Sequence, residues 1–246
     1  MVVGKVAFVT GAGRGIGREV CRILARQGAT VVAGDRDEKS AEETIRSLHD
    51  LKHLALKLDV SNQQSVEEAF KNAISKYSTP PTIIVNSAGI TRDQFILKLT
   101  KSDFEQVLDV NLNGTFSVIQ TAVKEMINVN VSKGGTIVNI SSVIGKIGNI
   151  GQANYAASKA GVIALTKTAS LEFGQFGIRV NTVLPGFIST SMTDSVPDNV
   201  KQMFIKKIPL RRMGKPEEVA EVIAFLASSK SSYINGASIE VTGGMH

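Results

Sequence analysis

A serine, a tyrosine and a lysine in the second half of the chain have the types and the spacing to act together on a carbonyl group. Lys159 follows Tyr155 by 4 residues, and Ser142 precedes Tyr155 by 13. Residues four apart on a helix share one face, with Cβ atoms about 5 to 6 Å apart, so we expect the ammonium to lower the tyrosine pKa from its ordinary value near ~10. Tyr155 would then be a usable acid or base, and the Ser142 hydroxyl would hold the carbonyl oxygen.

Two elements must position these three side chains. The apolar run 136–140 predicts a buried strand that ends just before Ser142, and a helix is predicted over residues 152–174. In an open α/β sheet, ligands bind at the carboxyl ends of the strands, which is where the serine falls. A tyrosine and a lysine four residues apart also occur on solvated helix faces. The strand and the serine before them favour the catalytic interpretation.

The N-terminal residues predict a nucleotide-binding unit. An apolar strand over 5–10 leads into the turn GAGRGIG, a helix over 16–28 and a second apolar strand. Glycines between a strand and a helix let the backbone approach a pyrophosphate, which rests on the N–H groups at the start of the helix. Here the glycines fall as GxxxGxG, at Gly11, Gly15 and Gly17, and not as the strict GxGxxG.

Asp35 ends the second strand and bears on the choice of cofactor. An acid at this position accepts hydrogen bonds from the adenosine ribose and repels a 2′-phosphate. NAD(H) is therefore the expected cofactor, and NADP(H) is the less favoured one. Arg14, in the glycine turn, and Arg36, next to Asp35, are usually solvated charges, but either could instead pair with a 2′-phosphate.

Three polar residues later in the chain are further site candidates. Asp59 and Asn86 follow two more predicted strands, although the first could simply cap a helix and the second could be a turn residue. Asn111 lies within a helical region predicted over 101–131. An asparagine is unfavourable there because its side chain competes for backbone groups, so we interpret it as functional.

The alternation of strands and helices continues to the C-terminus without a repeat or a linker. Residues 1–246 are therefore predicted to form a single Rossmann domain, with a substrate lid at about 186–215. Within the lid, the segment 201–215 contains Lys206, Lys207, Arg211 and Arg212 and no acidic residue. Such a segment is usually a solvated face, but it would also suit a substrate that carries phosphates, such as a coenzyme A thioester or an acidic carrier protein.

Composition excludes several classes of function. The net charge is +6, but only 5% of the residues are aromatic and the chain has no nucleic-acid-binding motif, so no nucleic-acid partner is expected. Three histidines without metal-ligand spacing and the lone Cys21 predict neither a metal site nor a disulfide. No apolar run approaches the length of a membrane span. The N-terminus enters a strand directly and has no secretory or transit signal.

These residues together resemble the short-chain dehydrogenases/reductases over essentially the whole chain. The segment TGAGRGIG matches the family's TGxxxGxG motif, whereas NSAG departs from its usual NNAG. The resemblance implies a catalytic tetrad of Asn111, Ser142, Tyr155 and Lys159, in which Asn111 holds a water that resupplies protons. It further implies cofactor contacts from Gly11, Arg14, Gly15, Ile16, Gly17, Asp35, Asp59, Val60, Asn86, Ala88, Gly89, Tyr155, Lys159, Pro185, Gly186, Ile188 and Thr190.

Within the family, GQANYAASKAGVIALTKTA and PGFISTSMT are similar to the 3-oxoacyl-(acyl carrier protein) reductases, and ISSVIGKIGNIGQ and EVTGGM to 17-beta-hydroxysteroid dehydrogenases. The resemblance implies NADH-dependent reduction of 3-oxoacyl thioesters, of acyl carrier protein or coenzyme A, to (3R)-3-hydroxyacyl thioesters. The alternative is oxidation of a 17-beta-hydroxysteroid such as estradiol. An alternative of another class is a non-catalytic NADH-binding subunit of a reductase complex.

The resemblance also implies an architecture and a setting. The expected α/β fold is a doubly wound sheet of about seven parallel strands with helices on both faces. The expected assembly is a homotetramer, or a heterotetramer with a second short-chain reductase subunit, in the mitochondrial matrix, with the cytoplasm as the alternative. Bacterial reductases dock an acyl carrier protein through basic residues. Lys133 retains one of these charges, but Phe176 stands where those reductases have another basic residue.

Overall fold

One sheet of seven strands organises the molecule. The strands are β1 Val6–Thr10, β2 Thr30–Asp35, β3 Leu54–Lys57, β4 Ile83–Asn86, β5 Thr136–Ile140, β6 Arg179–Pro185 and β7 Ser238–Val241. All pairs are parallel, and the order across the sheet is β3-β2-β1-β4-β5-β6-β7. The predicted doubly wound sheet is confirmed.

The computed structural model describes residues 2–49, 52–194 and 196–245. The other five positions include both ends of the predicted domain and position 195 of the predicted lid, which lie outside the described residues. Within the described ranges, no helix combines the length and the apolar character needed to cross a bilayer. The same ranges contain no group of three or more His, Cys, Asp or Glu side chains placed to hold a metal ion.

The strand order creates a crevice in the middle of the sheet. The chain winds outward from β1 to β3 on one side, then returns to β4 and winds outward to β7 on the other. Thr10, at the carboxyl end of β1, pairs with Gly34 on one side and with Asn86 on the other. Connections that leave neighbouring strands in opposite directions open a ligand crevice at their carboxyl ends. That crevice lies between β1 and β4.

Helices cover both faces of the sheet. They are α1 Gly15–Arg26, α2 Glu38–Arg46, α3 Gln63–Tyr77, α4 Lys101–Leu108, α5 Gly114–Asn128, α6 Ile144–Ile147, α7 Ala153–Gly174, α8 Ser191–Asp194, α9 Asp198–Lys207 and α10 Pro216–Ala227. Alternate side chains of β1 serve the two faces, because successive residues of a strand point in opposite directions. Ala7 and Val9 pack with α1 and α10, whereas Val6 and Phe8 pack with α3 and α5.

Two regions differ from the sequence prediction. The helix predicted over 101–131 is interrupted at Asp109–Asn113 by a π-helical turn, which separates α4 from α5. The polar segment 186–215 contains two helices, α8 and α9, that its weak periodicity did not indicate. Both regions flank the carboxyl ends of the strands, so the departures concern the surroundings of the site and leave the sheet as predicted.

Candidate active site

The structure brings Ser142, Tyr155 and Lys159 together. Ser142 follows β5, while Tyr155 and Lys159 lie on one face of α7. The Lys159 ammonium is 5.6 Å from the centre of the Tyr155 ring, and the Ser142 hydroxyl lies close enough to the Tyr155 hydroxyl to lower its pKa. Ser142 and Lys159 are buried, and Tyr155 is partly exposed. A carbonyl oxygen that enters at Tyr155 therefore meets two hydroxyl groups beside a cation.

The position of Ser142 is fixed by its neighbours. Its Oγ accepts a hydrogen bond from the Ile144 N–H at 3.1 Å, which leaves its own O–H free to donate. The adjacent Ser141 hydroxyl donates to the Lys159 carbonyl at 2.8 Å. Gly145 lies so close to α7 that a Cβ added there would be 2.7 Å from the Lys159 carbonyl carbon. The serine segment and the catalytic helix therefore form one packed unit.

Asn111 occupies the π-helical turn and is fully buried. Its Oδ1 accepts from the Ile90 N–H at 2.8 Å, and its Nδ2 donates to the Ile90 carbonyl at 3.0 Å and to Ser158 Oγ at 3.1 Å. Turns of this kind are common at functional sites. Because both amide hydrogens are used by the protein, the side chain keeps one acceptor position for the predicted water. Its clear structural role is to join the loop after β4 to α7.

Gly89 lies between Asn111 and Lys159. A Cβ added at Gly89 would be 3.3 Å from Asn111 Oδ1 and 3.5 Å from Lys159 Nζ. Lys159 Nζ also donates to the Ile140 carbonyl at 2.8 Å, at the end of β5. All four residues of the predicted tetrad are thus collected at the carboxyl ends of β4 and β5.

The expected direction of the Tyr155 pKa shift was wrong: the pKa is raised and not lowered. Burial raises the pKa of Tyr155 to about 12, which outweighs the lowering by the Ser142 hydroxyl, and the charge of Asp93 raises it further. Burial also lowers the pKa of Lys159 to about 8. Desolvation disfavours the charged form of each group, and spacing along a helix gives no information about it. Tyr155 is therefore a neutral phenol at neutral pH, suited to donate a proton.

The glycine turn lies directly against the turn after β4. Gly11 has a φ of +62°, and a Cβ added there would be 2.7 Å from Ala88 Cα; one added at Gly17 would be 2.1 Å from the Gly11 carbonyl oxygen. Thr10 Oγ1 accepts from the N–H groups of Ser87 and Ala88, each at 3.1 Å. The residues predicted to contact the cofactor after β1 and after β4 therefore lie next to each other. Ser87, which departs from the family's usual NNAG, takes part through its backbone N–H.

The start of α1 has the features of an anion site. Arg14 is the N-cap residue and its exposed side chain makes no capping hydrogen bond, so the first N–H groups of the helix, from Gly15 onward, have no cap. Ile16 packs on the apolar core and anchors this turn. Unpaired N–H groups and the helix dipole favour a phosphate at such a position. The residues present therefore fit the pyrophosphate of a dinucleotide.

Asp35 lies at the edge of the same turn. Its Oδ2 accepts from the Gly13 N–H at 2.9 Å and its Oδ1 from the Asp37 N–H at 3.1 Å. Each oxygen keeps an acceptor position, so the carboxylate is both a support for the turn and an available partner for ribose hydroxyls. The exposed Arg14 and Arg36 form no ion pair with it within the described ranges.

Asp59 follows β3 and Asn86 ends β4, two strands that β2 and β1 separate in the sheet. Asp59 Oδ1 accepts from Ser61 Oγ at 2.6 Å, and Asn62, not Asp59, caps α3; Val60 is buried beside them. Asn86 donates to Asn139 Oδ1 at 2.8 Å. Asn86 Oδ1 is buried and has no partner among the residues that the structure describes. A buried acceptor without a partner is unusual, and a donor from a bound cofactor would satisfy it.

The predicted contacts after β6 face the glycine turn across the crevice. A Cβ added at Gly15 would be 3.5 Å from Thr190 Cγ2. Pro185 ends β6, and the Gly186 N–H donates to the Val241 carbonyl at 3.0 Å. Ile188 is buried and forms a bridge with Gly214, which closes the base of the lid. The crevice is thereby lined from both sides.

The lid is attached through its apolar side chains. The rings of Phe187 and Phe204 are 5.2 Å apart, and Ile208 packs with Val143 and Met245. Val143 is adjacent to Ser142, so the lid rests on the segment that carries Ser142. Its helix α9 presents exposed Lys206 and Lys207 side chains to solvent.

One member of the predicted basic segment is neutralised. Arg212 forms two hydrogen bonds with the Glu218 carboxylate, at 2.7 and 2.6 Å, and Glu218 lies beyond the segment, on α10. Both side chains are partly exposed. Lys206, Lys207 and Arg211 therefore remain as the basic group that a phosphate-bearing substrate would meet.

Sequence reasoning missed several polar residues that hold the site. Ser141 and Ser158 lie next to predicted catalytic residues, and their side chains link α7 to β5 and to the π-helical turn. Asn139 Nδ2 donates to Thr166 Oγ1 at 2.9 Å, which joins the centre of β5 to α7. The available signal was a polar residue inside an apolar strand, since a buried amide needs partners.

Comparison with known proteins places the chain among oxidoreductases. A protein family described as Enoyl-(Acyl carrier protein) reductase matches residues 11–246. The chain is 49% identical to a mouse protein named (3R)-3-hydroxyacyl-CoA dehydrogenase, over 98% of this chain and 95% of that protein. It is 44% identical to the 3-oxoacyl-[acyl-carrier-protein] reductase of Thermotoga maritima, over 98% of each. It is 41% identical to the reductase of that name in Staphylococcus aureus, over the full length of both.

Proposed function

The chain belongs to the short-chain dehydrogenases/reductases, oxidoreductases that act on CH–OH groups, and from this premise we propose that it reduces 3-oxoacyl thioesters to (3R)-3-hydroxyacyl thioesters with NADH. The observation that carries the proposal is the placement of the Ser142 and Tyr155 hydroxyls beside Lys159, at the carboxyl end of β5. The names of the relatives support a 3-oxoacyl or 3-hydroxyacyl thioester as the substrate.

In the proposed reaction, the residues of this chain bind and protonate the ketone. A bound nicotinamide supplies the hydride that adds to the carbonyl carbon. Ser142 donates a hydrogen bond to the carbonyl oxygen, and the Tyr155 hydroxyl transfers its proton to that oxygen, which gives the alcohol. Lys159 stabilises the phenolate that remains until a proton from solvent restores it. A pKa of Tyr155 near 12 supports the acid role, because the phenol is protonated before each turnover.

NADH is the proposed cofactor because of Asp35. The N–H groups at the start of α1 would hold the pyrophosphate, and Asp35 would accept from the adenosine ribose. A 2′-phosphate would meet this carboxylate at the edge of the glycine turn. The buried Asn86 Oδ1 would accept a hydrogen bond from the bound cofactor. Thr190 would contact it from the opposite side of the crevice.

Two alternatives make different predictions for the same protein. Apolar side chains of the lid, Phe187, Ile188, Met192 and Met203, suit an acyl chain or a 17-beta-hydroxysteroid equally. The relatives' names favour the thioester. A non-catalytic NADH-binding subunit would have no need for Tyr155 beside Lys159.

For assembly, we extend the proposal to a tetramer in the mitochondrial matrix, with the cytoplasm as the alternative. Leu171 and Phe116 support self-association, because they are 82% and 47% exposed on α7 and α5. Large exposed apolar side chains of this kind mark interaction surfaces. Light scattering of the purified chain gives its mass, and a homotetramer is expected. A carrier protein would meet the exposed Lys133, which lies beside Gly177, the residue that follows Phe176.

Initial rates with acetoacetyl-CoA test the proposal. We expect NADH consumption that is at least about tenfold faster than NADPH consumption at equal concentrations, and a loss of more than about 1000-fold in kcat for Tyr155→Phe with NADH binding retained. Crotonyl-CoA with NADH is the control for enoyl reduction, and estradiol with NAD⁺, followed as NADH formation, is the control for the steroid alternative. Turnover of either control without turnover of acetoacetyl-CoA would overturn the assignment, and tight NADH binding without any turnover would favour the non-catalytic subunit.

A further inference from the structure

Three hydrogen bonds tie the segment 92–94, which follows β4, to residues 151–154 at the start of α7. They run from Gln94 N to Gly151 O at 2.8 Å, from Gln152 Nε2 to Asp93 Oδ2 at 3.0 Å, and from Asn154 Nδ2 to Arg92 O at 2.9 Å. Tyr155 is the next residue, and its N–H donates to Asn154 Oδ1 at 2.8 Å. The first turn of the catalytic helix is therefore held by the segment after β4.

Asp93 brings a carboxylate into this link. Gln152 is itself held from the other side, because Asn149 Nδ2 donates to Gln152 Oε1 at 2.9 Å. The carboxylate thus has a defined partner three residues before Tyr155, and its charge acts on Tyr155 to raise the pKa of the phenol, after the larger effect of burial. Partial desolvation of the otherwise exposed carboxylate raises the pKa of Asp93 itself, and the hydrogen bond from Gln152 lowers it.

The other charged groups of the elements around Tyr155 have their own partners. Lys159, on α7, donates to the Ile140 carbonyl. Lys146, on α6, pairs with Glu240 at 2.7 Å. Arg92 Nε donates to Gln106 Oε1 at 3.0 Å. Asp93 is the acidic residue of the described ranges whose charge acts on Tyr155.

We propose that Asp93 is a positioning residue for the reaction, which fixes the first turn of α7 through Gln152 and places a negative charge beside that turn. This inference rests on the proposed role of Tyr155. Reduction of the ketone needs a phenol that can donate, whereas oxidation of the alcohol needs a phenolate that can accept. Asp93 therefore suits the site to reduction and moves the onset of oxidation to higher pH.

Two variants separate the charge from the hydrogen bond. Asp93→Asn keeps an oxygen that can accept from Gln152 and removes the charge, while Gln152→Ala keeps the charge and removes the hydrogen bond. Glu68→Gln is the matched control, since it removes one negative charge from α3, where Glu68 is an exposed partner of Gln64. The measurement is kcat for oxidation of 3-hydroxybutyryl-CoA by NAD⁺ between about pH 7 and 9.5, where the phenolate fraction rises with pH.

Removal of a nearby negative charge lowers the Tyr155 pKa, so the rising limb of the oxidation profile should move to lower pH. Because Asp93 is solvent exposed, we expect a displacement of about half a pH unit, or about threefold in kcat at fixed pH. Gln152→Ala should lower kcat several-fold across the range without this displacement. Glu68→Gln should leave the profile in place.

A profile of Asp93→Asn that coincides with the wild type overturns the inference. If Tyr155→Phe is inactive in the same assay, the proposed function stands without it; if Tyr155→Phe remains active, the proposed function itself fails. Asp93→Gln provides a second neutral variant should the asparagine variant not fold, as judged by circular dichroism. Asp93→Glu, which keeps the charge, should restore the wild-type position of the profile.

Discussion

The glycine turn and the lid hold the two halves of the site by different means. At the turn, backbone lies against backbone, and a Cβ at Gly11 or Gly17 would overlap main-chain atoms. At the lid, attachment depends on side chains such as Phe204 and Ile208, and much of the surface is exposed. The main chain therefore fixes the cofactor half, where substitution is poorly tolerated. The substrate half can change its side chains while the sheet stays intact.

Gly17→Ala should remove most of the NADH affinity of the cofactor half. A Cβ placed 2.1 Å from the Gly11 carbonyl oxygen must displace the turn that faces the pyrophosphate. We expect NADH affinity to fall by more than about 100-fold, measured by fluorescence titration. Gly174→Ala is the control, because its Cβ would meet only Asn235 Nδ2 at 3.6 Å. Affinity of Gly17→Ala within about threefold of the wild type would contradict the comparison.

Lys159→Met tests the boundary between the cofactor half and the substrate half through the pH dependence of the free energy of unfolding. The pKa of Lys159 is lowered from 10.5 to about 8, so between these values the unfolded chain binds the extra proton. Stability should rise with pH through that window, and the penalty of the buried charge is fully present below it. Urea unfolding at pH 7.5 and 9.5 should show a gain on the order of 2 kcal/mol that Lys159→Met lacks. Equal gains in unfolding free energy for the wild type and for Lys159→Met would exclude Lys159 as the source of the pH dependence.

Asp35→Asn should change the selectivity of the cofactor half between NADH and NADPH while leaving the glycine turn in place. An asparagine can still accept from the Gly13 N–H but no longer repels a 2′-phosphate. We expect the preference for NADH over NADPH to fall about tenfold in kcat/KM. Asp37→Asn, two residues away on the exposed start of α2, should leave the preference unchanged.

Phe204→Ala should give the smallest effect and confine it to the substrate half. It removes the ring that faces Phe187, so the lid should be less ordered and KM for the thioester should rise about threefold while NADH affinity is retained. Gln202→Ala, an exposed change on the same helix, is the control. An equal loss of NADH affinity would show that the two halves are not separable.

The sheet and its strand ends were predictable because each depends on a local pattern. The buried run Thr136–Ile140 has the predicted bounds, and the helix predicted over 152–174 begins one residue later, at Ala153, since a continuous apolar strand and a long helical stretch are strong signals. Ser142, Tyr155 and Lys159 were candidates because of their spacing along a predicted strand and helix, and Asn111 because an asparagine is unfavourable inside a helix.

What could not be predicted depends on three-dimensional surroundings. The π-helical turn at Asn111 adds a residue to one helical turn, and only the misplaced asparagine gave a sign of it. The sign of the Tyr155 pKa shift depends on burial, which the Tyr–Lys spacing does not report. Glu218, which neutralises Arg212, lies outside the charged segment that was counted.

The pairing of β1 with β4 sets the order in which the protein can assemble. Thr10 and Asn86 are neighbours in the sheet although 76 residues separate them along the chain, and a parallel pair cannot form as a hairpin. The crevice exists only after this distant contact is made, and contacts between distant residues form slowly. Cofactor can therefore slow unfolding of the finished protein, but it cannot guide the first steps of folding.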